Sequence, residues 1–539
     1  MAAGAHPVTL AQLTQAETEQ RVVVDGVDLD GARELRPRSV EPTGAEVRPA
    51  EGLADRTLVG LELSRPLEGD DRRMDARAGE QPAAFLECVV GGGFHVLSFG
   101  RRFRAVCDNR ISSTKANRPV PEFLPFRGIR YALDAATPAD SPTDVGAVAA
   151  PPYDVIDEDL RVILEASDPR NAVRLILPRD DERGRDRYEV AADCLDEWRR
   201  GGELVLDESA RFYLYEMLYE DEDGRYRRTH GVIGALTLPP PGTDPAAGGV
   251  LPHERTMTTA KSDRLSLLRA TRTNLDPIWV LSLTEGLSAR LVPHGVPLIA
   301  YCENHEGVTH RLFPLTDPRR IGEVTEAVAA TPVVLADGHH RYETACAYRD
   351  ERVAAGVDDP GAERIMAFAA ELADDELSVR PIHRLVHGLQ GVDARRALNG
   401  AFSIVDAGPN TPEGIVKLRA RMRDDEALGL VDRSGLALLR PTRDVADSDE
   451  VLRDVDSVRF DEHVRPTLPG ATVTFRSDAA TVAALVEKGA ADAAVLLRPV
   501  TVAQIRAAAF AGLRMPEKTT FFSPKPRTGM VFRSLDEAS

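Results

Sequence analysis

Residues 332–345 constrain most strongly how this chain can fold. They contain a short apolar run, a glycine that ends it, and the polar start of a predicted helix. The run 333–336 predicts a buried strand, and Gly338 ends it because glycine tolerates the positive φ of a sharp turn. Residues 342–353 then predict a helix with one apolar face: Tyr342, Ala345, Cys346 and Val353. A strand, a glycine turn and a helix in this order leave backbone N–H groups free at the helix N-terminus, which is a favourable place for phosphate.

The polar side chains at this turn have the chemistry of an anion site. Arg341 supplies a planar set of donors, and His339 and His340 can donate, accept or carry a proton near neutral pH. Two other interpretations stay open. The histidines can simply be solvated at the start of a helix, or His339 and Glu343, four residues apart, can bind a metal ion. The metal interpretation is disfavoured, since no third ligand follows at helical spacing.

Composition limits the class of protein. With 539 residues, of which 28% are charged and 43% hydrophobic, the chain is long enough for two or three globular domains. A net charge of −19 argues against a broad nucleic-acid-binding surface, although a local basic pocket is compatible with it. The five cysteines form no C-x-x-C pair, and no apolar stretch approaches the ~18 residues of a membrane helix. We therefore expect a soluble, cytoplasmic protein with a small-molecule substrate and without membrane or nucleic-acid partners.

A second polar cluster, residues 252–264, precedes a predicted helix. It holds His253, Glu254, Lys261 and Arg264, which is more than helix capping requires. A carboxylate among cations suits either Mg²⁺–phosphate binding or a general base. A solvated loop is the alternative.

Lysine is rare in this chain, whose basic residues are overwhelmingly arginine. A lysine kept beside other polar residues is therefore a candidate for a compact point charge in a site. Lys261 is in such a place, and so are Lys518 and Lys525 in the proline-rich tail, residues 515–529. The aromatic residues of the tail predict that it packs, and we expect it to fold back over the site.

A rigid loop is predicted at residues 149–156, because two consecutive prolines fix an extended turn. Tyr153 and Asp154 follow the prolines. They either take part in binding or form a structural turn in which Asp154 caps the helix predicted at 158–166. The apolar run 172–177 predicts a strand.

Strands and helices are predicted throughout the rest of the chain, which indicates an α/β protein with mixed sheets. The segments 212–219 and 229–238 predict a hairpin around Gly224. The triple glycine at 91–93 predicts a hairpin or a flexible turn. Three portions are expected: a poorly defined N-terminal extension, 1–118; a core domain with the motifs above, 119–390; and a C-terminal α/β portion that includes the tail, 391–539.

From about residue 121 to the C-terminus, the chain resembles the bacterial and archaeal domain-of-unknown-function 1015 family. Five ordered motifs carry the resemblance: APPYDVI (150–156), HERT (253–256), ADGHHRYETA (336–345), HRLV (383–386) and MPEKTTFFSPKPRTG (515–529). Residues 1–118 lie outside it. The tail departs from the family's pattern at Glu517, where an apolar residue or a proline is expected.

The DGHHR segment, 337–341, also resembles the phosphate-binding G-x-x-R motif of the ParB/sulfiredoxin superfamily, which includes nucleotide hydrolases, sulfiredoxins and free-serine kinases. This resemblance implies a ParB/sulfiredoxin-like phosphate-binding core and a nucleotide, ATP or ADP, with Mg²⁺. It implies phosphoryl transfer by a kinase or phosphatase, with serine or phosphoserine as the most attractive substrate.

The resemblance implies a role for each polar residue. Glu254 would activate the acceptor hydroxyl, or a water in a phosphatase. Asp337 would bind Mg²⁺ or serve as the base instead, and His340 is a further candidate base. Phosphate or nucleotide would be held by Gly338, His339, His340, Arg341, Lys261 and Arg264. The substrate would be contacted by Tyr153, Asp154, His253, Lys518 and Lys525.

Two functions of other classes stay open. One is a ParB-like regulator that binds nucleotide or DNA; the acidic net charge and the lack of a clear helix-turn-helix with a basic face argue against it. The other is a sensor that binds a small molecule without catalysis, because a kinase, a phosphatase and a sensor all need the same phosphate site.

Overall fold

The structure is a computed structural model that describes residues 33–34, 85–90, 93–98, 120–133, 141–181, 183–222, 224–254, 261–442 and 450–537. The chain forms two compact units, Met1–Lys115 and Ala116–Ser539. The first unit contains a sheet made of β1 (Arg33–Glu34), β2 (Phe85–Val90) and β3 (Gly93–Ser98). The strand order is β1-β3-β2, and β2 and β3 form the hairpin predicted at the triple glycine.

The second unit confirms the predicted α/β class with mixed sheets. Its strands are β4 (Phe123–Leu124), β5 (Ile129–Tyr131), β6 (Thr143–Asp144), β7 (Leu204–Leu206), β8 (Phe212–Glu220), β9 (Tyr226–Thr237), β10 (Val250–Pro252), β11 (Thr273–Asn274), β12 (Ile278–Ser282), β13 (Ala300–Glu303), β14 (Thr309–Leu315), β15 (Val333–Asp337), β16 (Arg364–Glu371), β17 (Ser378–Pro381), β18 (His383–His387), β19 (Phe402–Gly408), β20 (Leu428–Asp432), β21 (Gly435–Pro441), β22 (Thr472–Arg476), β23 (Ala493–Leu496), β24 (Thr520–Ser523) and β25 (Arg533–Ser534). Its helices are α1 (Glu158–Ser167), α2 (Val173–Ile176), α3 (Arg187–Gly201), α4 (Lys261–Thr271), α5 (Leu287–Leu291), α6 (Pro318–Ala329), α7 (His339–Ala354), α8 (Ala394–Leu398), α9 (Pro412–Asp424), α10 (Asp456–Arg459), α11 (Ala479–Glu487) and α12 (Val502–Ala511).

The larger sheet has the order β10-β15-β12-β16-β9-β8-β14-β13-β6, with β4 paired to β9. The pairs β10–β15, β12–β16 and β13–β6 are parallel. Successive side chains of a strand point to opposite faces, so Tyr213 and Tyr215 of β8 pack in one core cluster and Phe212 and Leu214 in another. Both faces of this sheet are therefore covered, and its edges and strand ends remain for a site.

The second sheet has the order β19-β21-β20-β23-β18-β22 and is antiparallel throughout. Leu418 of α9 and Val482 of α11 pack with Leu438 of β21 on one face. Phe460 and Leu398 pack with the other face. This sheet thus has a core of its own on both sides.

Long helices of the second unit mostly begin at a side chain that caps them. The caps are Asp157, Asp186, Asp317, Thr411, Asp478 and Thr501, each of which accepts a hydrogen bond from an N–H of the first turn. Helix α7 begins differently, because it follows Gly338, which has no side chain to offer.

Several predicted elements are confirmed and two details are wrong. The predicted hairpin is β8–β9, and the strand and helix around Gly338 are β15 and α7. The strand predicted at 172–177 is wrong: these residues form the short helix α2, where the Asn171 side chain accepts from the Val173 N–H. Val353 is also wrongly assigned to the buried face, since it is 53% exposed in the last turn of α7. None of the helices in the described ranges combines the length and the apolar character needed to cross a membrane.

Candidate functional site

Two parallel strands bring the predicted clusters to one edge of the larger sheet. In the β10–β15 pair, Pro252 lies opposite Leu335, so the chain leaves both strands at the same end. His253 and Glu254 therefore follow β10 beside Asp337, the last residue of β15, and the turn at Gly338. Carboxyl ends of neighbouring parallel strands are a common location for ligand sites in α/β folds.

The turn into α7 requires a glycine. Gly338 has φ 86° and ψ 28°, in the left-handed region that side chains rarely adopt. A Cβ atom there would also lie 3.0 Å from Ile278 Cγ2 and 3.1 Å from Arg341 Nε. Because Gly338 provides no capping side chain, the first turn of α7 keeps its partial positive charge for a ligand.

His339 is the first residue of α7, and its Nε2 atom is buried without a hydrogen-bond partner. Its ring centroid lies 5.3 Å from that of His253. Burial, with the charge of His253, lowers the pKa of His339 to about 4, so its imidazole is neutral near neutral pH. His340, the next residue, is half-buried.

Glu254 is held by the C-terminal tail. Its Oε1 atom accepts from the backbone N–H groups of Thr519 at 3.1 Å and Thr520 at 2.6 Å, and from Thr520 Oγ1 at 2.6 Å. His253 Nε2 lies 3.3 Å from the same oxygen. Although burial acts to raise it, the contacts with His253, Thr520 and His339 lower the pKa of Glu254 to about 2. The carboxylate is therefore ionised, as its predicted role requires.

Asp337 has both carboxylate oxygens engaged. Oδ2 accepts from Arg341 Nη2 at 2.8 Å, and Oδ1 lies 2.7 Å from Lys525 Nζ. The same ammonium reaches Asp154 Oδ2 at 2.6 Å. Burial opposes ionisation of Asp337, but Lys525 and Arg341 lower its pKa to about 2. Asp154 thus takes part in this charged cluster, whereas Asp157 caps α1.

The two arginines of the predicted site are both anchored. Arg341 donates from Nη1 to the Pro277 carbonyl at 2.5 Å, while its Nε is buried without a partner. Arg264 donates to the Ile176 carbonyl at 2.7 Å, and its guanidinium lies 4.3 Å from the centre of the Tyr153 ring. Tyr153 and Arg264 therefore pack against each other beside the charged cluster.

Two predicted lysines differ from Lys525. The Lys518 side chain is exposed, and its backbone carbonyl accepts from Arg384 Nη1 at 2.9 Å. Lys261 begins α4, but its side chain lies outside the described residues, as does the HERT segment after Glu254. Of the two lysines whose side chains are described, Lys525 is the one that the structure brings into the cluster.

Sequence reasoning missed Asp276 as a member of the site. It lies just before β12, which runs antiparallel to β15, and it accepts a hydrogen bond from the Thr528 hydroxyl. Burial raises the pKa of Asp276 to about 6, against the opposing effect of Arg341 and Arg264. No motif marks this aspartate, because its partners come from residues 341 and 528. Thr519 and Thr520 were also missed, although they lie in the tail that the sequence singled out.

Two cavities lie in different parts of the described chain. One of about 60 Å³ adjoins the site and is lined by Asp276, Arg341 and Thr344, whose buried Oγ1 has no partner. The other, about 470 Å³, is lined by residues of the β8–β9 and β13–β14 turns, such as Tyr226 and Gly307. The larger one is lined by none of the predicted site residues, whereas the smaller one is lined by both Arg264 and Arg341.

A family model described as "Protein of unknown function (DUF1015)" matches residues 123–458. This match bears out the family that the motifs indicated, and four of the five motifs lie inside it. The tail motif, 515–529, lies beyond its end. No curated protein sequence matches the chain.

Solved structures show a distant likeness to part of the chain. A conserved hypothetical protein from Pyrococcus furiosus has 12% identity and a TM-score of 0.29, with 53% of this chain and 93% of that chain covered. Free serine kinase in complex with AMP has 13% identity and a TM-score of 0.28, with coverage of 51% and 83%. SbnI from Staphylococcus aureus has 14% identity and a TM-score of 0.29, with coverage of 52% and 81%. Similarity at this level transfers no activity or ligand to this chain.

Proposed function

The chain belongs to the DUF1015 family, and we propose that it is a phosphoryl-transfer enzyme acting on a small hydroxyl-bearing or phosphorylated metabolite. The observation that carries the proposal is that an ionised carboxylate lies beside the uncapped start of a helix. Glu254 follows β10, and the uncapped start of α7 with the partnerless Nε2 of His339 follows the neighbouring β15. A base beside a phosphate site is the minimum that transfer to a hydroxyl needs.

The phosphate end consists of donors of several kinds. The first turn of α7 has free backbone N–H groups at the positive end of the helix dipole. His339 Nε2 and Arg341 Nε are buried polar atoms that lack a partner. Lys525 adds a cation within reach of Asp337 and Asp154. Groups of this kind stabilise negative charge on a transferred phosphoryl group because they are already oriented before the reaction.

The acceptor end consists of Glu254 and the residue that orients it. His253 donates from Nδ1 to the Leu335 carbonyl at 2.5 Å, which fixes its ring and turns Nε2 toward Glu254. An ionised carboxylate can take the proton of a hydroxyl or of a water as the bond to phosphorus forms. The same residues therefore suit a kinase or a phosphatase.

A nucleotide fits the donors of the phosphate end, and ATP or ADP is the proposed partner. Mg²⁺ fits less directly. In the described part of the chain, no group of three or more His, Cys, Asp or Glu side chains could hold a metal ion. Asp337, the predicted ligand, has its oxygens occupied by Arg341 and Lys525. A Mg²⁺ ion that arrives with the nucleotide would neutralise part of the phosphate charge. The donors of the phosphate end would then bind and orient the phosphate groups.

A thermal-shift assay tests the proposal most directly. The full-length protein is heated with ATP or ADP, each with and without Mg²⁺, and then with serine or phosphoserine, to which the DGHHR resemblance points. A ligand that binds only the folded state at 100 times its Kd adds about 2.7 kcal/mol of stability. The proposal requires that at least one nucleotide or phosphoserine raise the Tm and that a product form in a coupled assay; failure of every nucleotide and of phosphoserine to bind would refute it.

Glu254→Gln tests the base. The amide keeps the shape and one accepting oxygen but removes the charge, so we expect single-turnover rates to fall by roughly 10²–10⁴-fold. Nucleotide affinity, measured by equilibrium binding on the same variant, should stay close to wild type. Glu303→Gln, at an exposed glutamate of β13, is the matched control. Unchanged turnover in Glu254→Gln would move the base role to Asp337 or His340.

A further inference from the structure

The tail places a hydroxyl group directly on the proposed base. Thr520 Oγ1 lies 2.6 Å from Glu254 Oε1 and 2.7 Å from His253 Nε2. Because an ionised carboxylate can only accept, the Thr520 hydroxyl donates its proton to Glu254. His253 Nδ1 donates to the Leu335 carbonyl, and Nε2, when the imidazole is doubly protonated, donates to Thr520 Oγ1. One of the two oxygen lone pairs is then used, and the other remains for a further partner.

This hydroxyl lies where an acceptor must lie if Glu254 is the base. The phosphate end is close by, since the His339 ring is 5.3 Å from the His253 ring that contacts Thr520. The backbone also fixes the position: both Thr519 N–H and Thr520 N–H bind Glu254 Oε1, and β24 pairs with β17 in the register Thr520 to Pro381. The Thr520 hydroxyl is thus held in hydrogen-bond contact with the proposed base, as the hydroxyl of a bound substrate would be.

We propose that Thr520 is an internal phosphoryl acceptor, phosphorylated in the protein's own site. This inference rests on the proposed function and names a covalent modification that the site performs on its own chain. The donor is a nucleoside triphosphate. Thr520 Oγ1 attacks the γ-phosphorus through its remaining lone pair, and an Oγ–P bond forms. The bond from the γ-phosphorus to the bridging oxygen breaks, the nucleoside diphosphate leaves with that electron pair, and Glu254 receives the hydroxyl proton.

The product changes the tail's hold on the site. Glu254 then passes the proton to water, because its pKa is about 2. A phosphothreonine carries a charge of about −1.5 to −2 near neutral pH, and it would face the Glu254 carboxylate once this proton has left. Like charges at this distance repel, so the segment 519–520 leaves Glu254. The departure also removes three hydrogen bonds to Glu254, of which the one from the Thr520 hydroxyl lowers the pKa of this carboxylate. The base therefore becomes stronger and accessible to a small acceptor, which makes the modification an activating step.

The test uses the full-length protein incubated with ATP and Mg²⁺ and no other acceptor. Tandem mass spectrometry of the tail peptide should find one phosphoryl group on Thr520, formed at a rate that does not depend on protein concentration, since base and acceptor share one chain. Thr520→Val should lose the label. Glu254→Gln should slow labelling by roughly 10²–10⁴-fold. Ser523→Ala removes a hydroxyl from the same strand outside these contacts and should label as wild type does.

Nucleotide binding and turnover of an added acceptor are measured on the same samples. If ATP binds and a small hydroxyl compound is phosphorylated while Thr520 stays unmodified, this inference is overturned and the proposed function stands. Labelling that grows with protein concentration, or that persists in Thr520→Val, overturns it as well. If ATP does not bind, the kinase form of the proposed function fails and this inference fails with it.

Discussion

Two buried carboxylates of the site differ in protonation behaviour because their surroundings differ. Glu254 accepts three hydrogen bonds from the tail and lies beside His253, and its pKa falls to about 2 in spite of burial. Asp276 accepts from the Thr528 hydroxyl, and burial raises its pKa to about 6. Hydrogen bonds to the charged form decide the first case and desolvation decides the second.

The pKa of Asp276 predicts a stability change with pH. The folded protein holds this proton more tightly than the unfolded chain, whose aspartates titrate near pH 4. Stability from this residue is therefore present below pH 4 and is lost as pH rises through about 6. We expect wild type to lose about 2 kcal/mol more than Asp276→Asn across this window, measured by urea unfolding at a series of pH values.

The comparison with the variant is needed because His339 acts in the opposite direction. Its pKa is lowered to about 4, so its contribution grows as pH rises through the same window. That contribution is common to both proteins and cancels in the difference. Parallel stability curves for wild type and Asp276→Asn would show that Asp276 has an ordinary pKa.

Arg341 has a structural role in addition to its proposed contact with phosphate. Its guanidinium joins the Pro277 carbonyl to Asp337. A lysine ammonium is a single point charge and cannot match the spacing of the two guanidinium nitrogens that bind these acceptors, so Arg341→Lys should lower the free energy of unfolding by about 1–3 kcal/mol, measured by urea denaturation. Arg319→Lys, at a side chain that is 76% exposed, should leave it unchanged. Equal stability of Arg341→Lys and wild type would contradict this role.

At the scale of elements, the start of α7 depends on Gly338. Gly338→Ala would place a Cβ in the left-handed region and 3.0 Å from Ile278 Cγ2. We expect a loss of about 2 kcal/mol in unfolding free energy, together with weaker nucleotide binding, because relief of the contact moves the helix end. Gly356→Ala is the matched control: its φ is also positive, at 67°, but nothing lies within 4 Å of the added Cβ. If Gly338→Ala lowers the unfolding free energy no more than Gly356→Ala does, the close contact with Ile278 is not the cause of the loss.

At the scale of the whole second unit, the tail joins segments that are far apart in sequence. Thr528 exchanges backbone hydrogen bonds with Ala150, and Met515 N–H donates to the His253 carbonyl. Lys525 lies between Asp154 and Asp337, with 10% of its side chain exposed. The tail therefore contributes both packing and the cation that balances two carboxylates.

Lys525→Met should destabilise the protein by about 3 kcal/mol, because it removes the ammonium that Asp154 and Asp337 share and leaves Asp337 with the Arg341 ion pair alone. Asp154 contributes the smaller share, since its side chain is 36% exposed and is screened by water. Adding Asp154→Asn to Lys525→Met should restore part of the loss, which urea unfolding of the single and double variants measures. Lys518→Met, at the exposed lysine of the same tail, is the control. A double variant less stable than Lys525→Met would argue against charge balance as the cause.

Local patterns in the sequence determined the strand, glycine turn and helix at 333–354, and they also determined the β8–β9 hairpin. Side-chain periodicity and turn residues act over a few neighbours, so a single segment contains the information. The same patterns failed at 172–177, because a short apolar run fits a strand or a buried helical turn equally well. The motifs also identified most residues of the candidate site, including Glu254, Asp337, Arg341 and Lys525.

Only the tertiary structure decided which of these residues meet. The parallel pairing of β10 with β15 brings Glu254 to Gly338, and the return of the tail brings Thr520 to Glu254 across a separation of 266 residues. Asp276 gained its role from Arg341 and Thr528, which lie far from it in sequence, so no local pattern could mark it. Burial and partners set the protonation of a side chain, and both arise from the packing of distant segments rather than from the residue type.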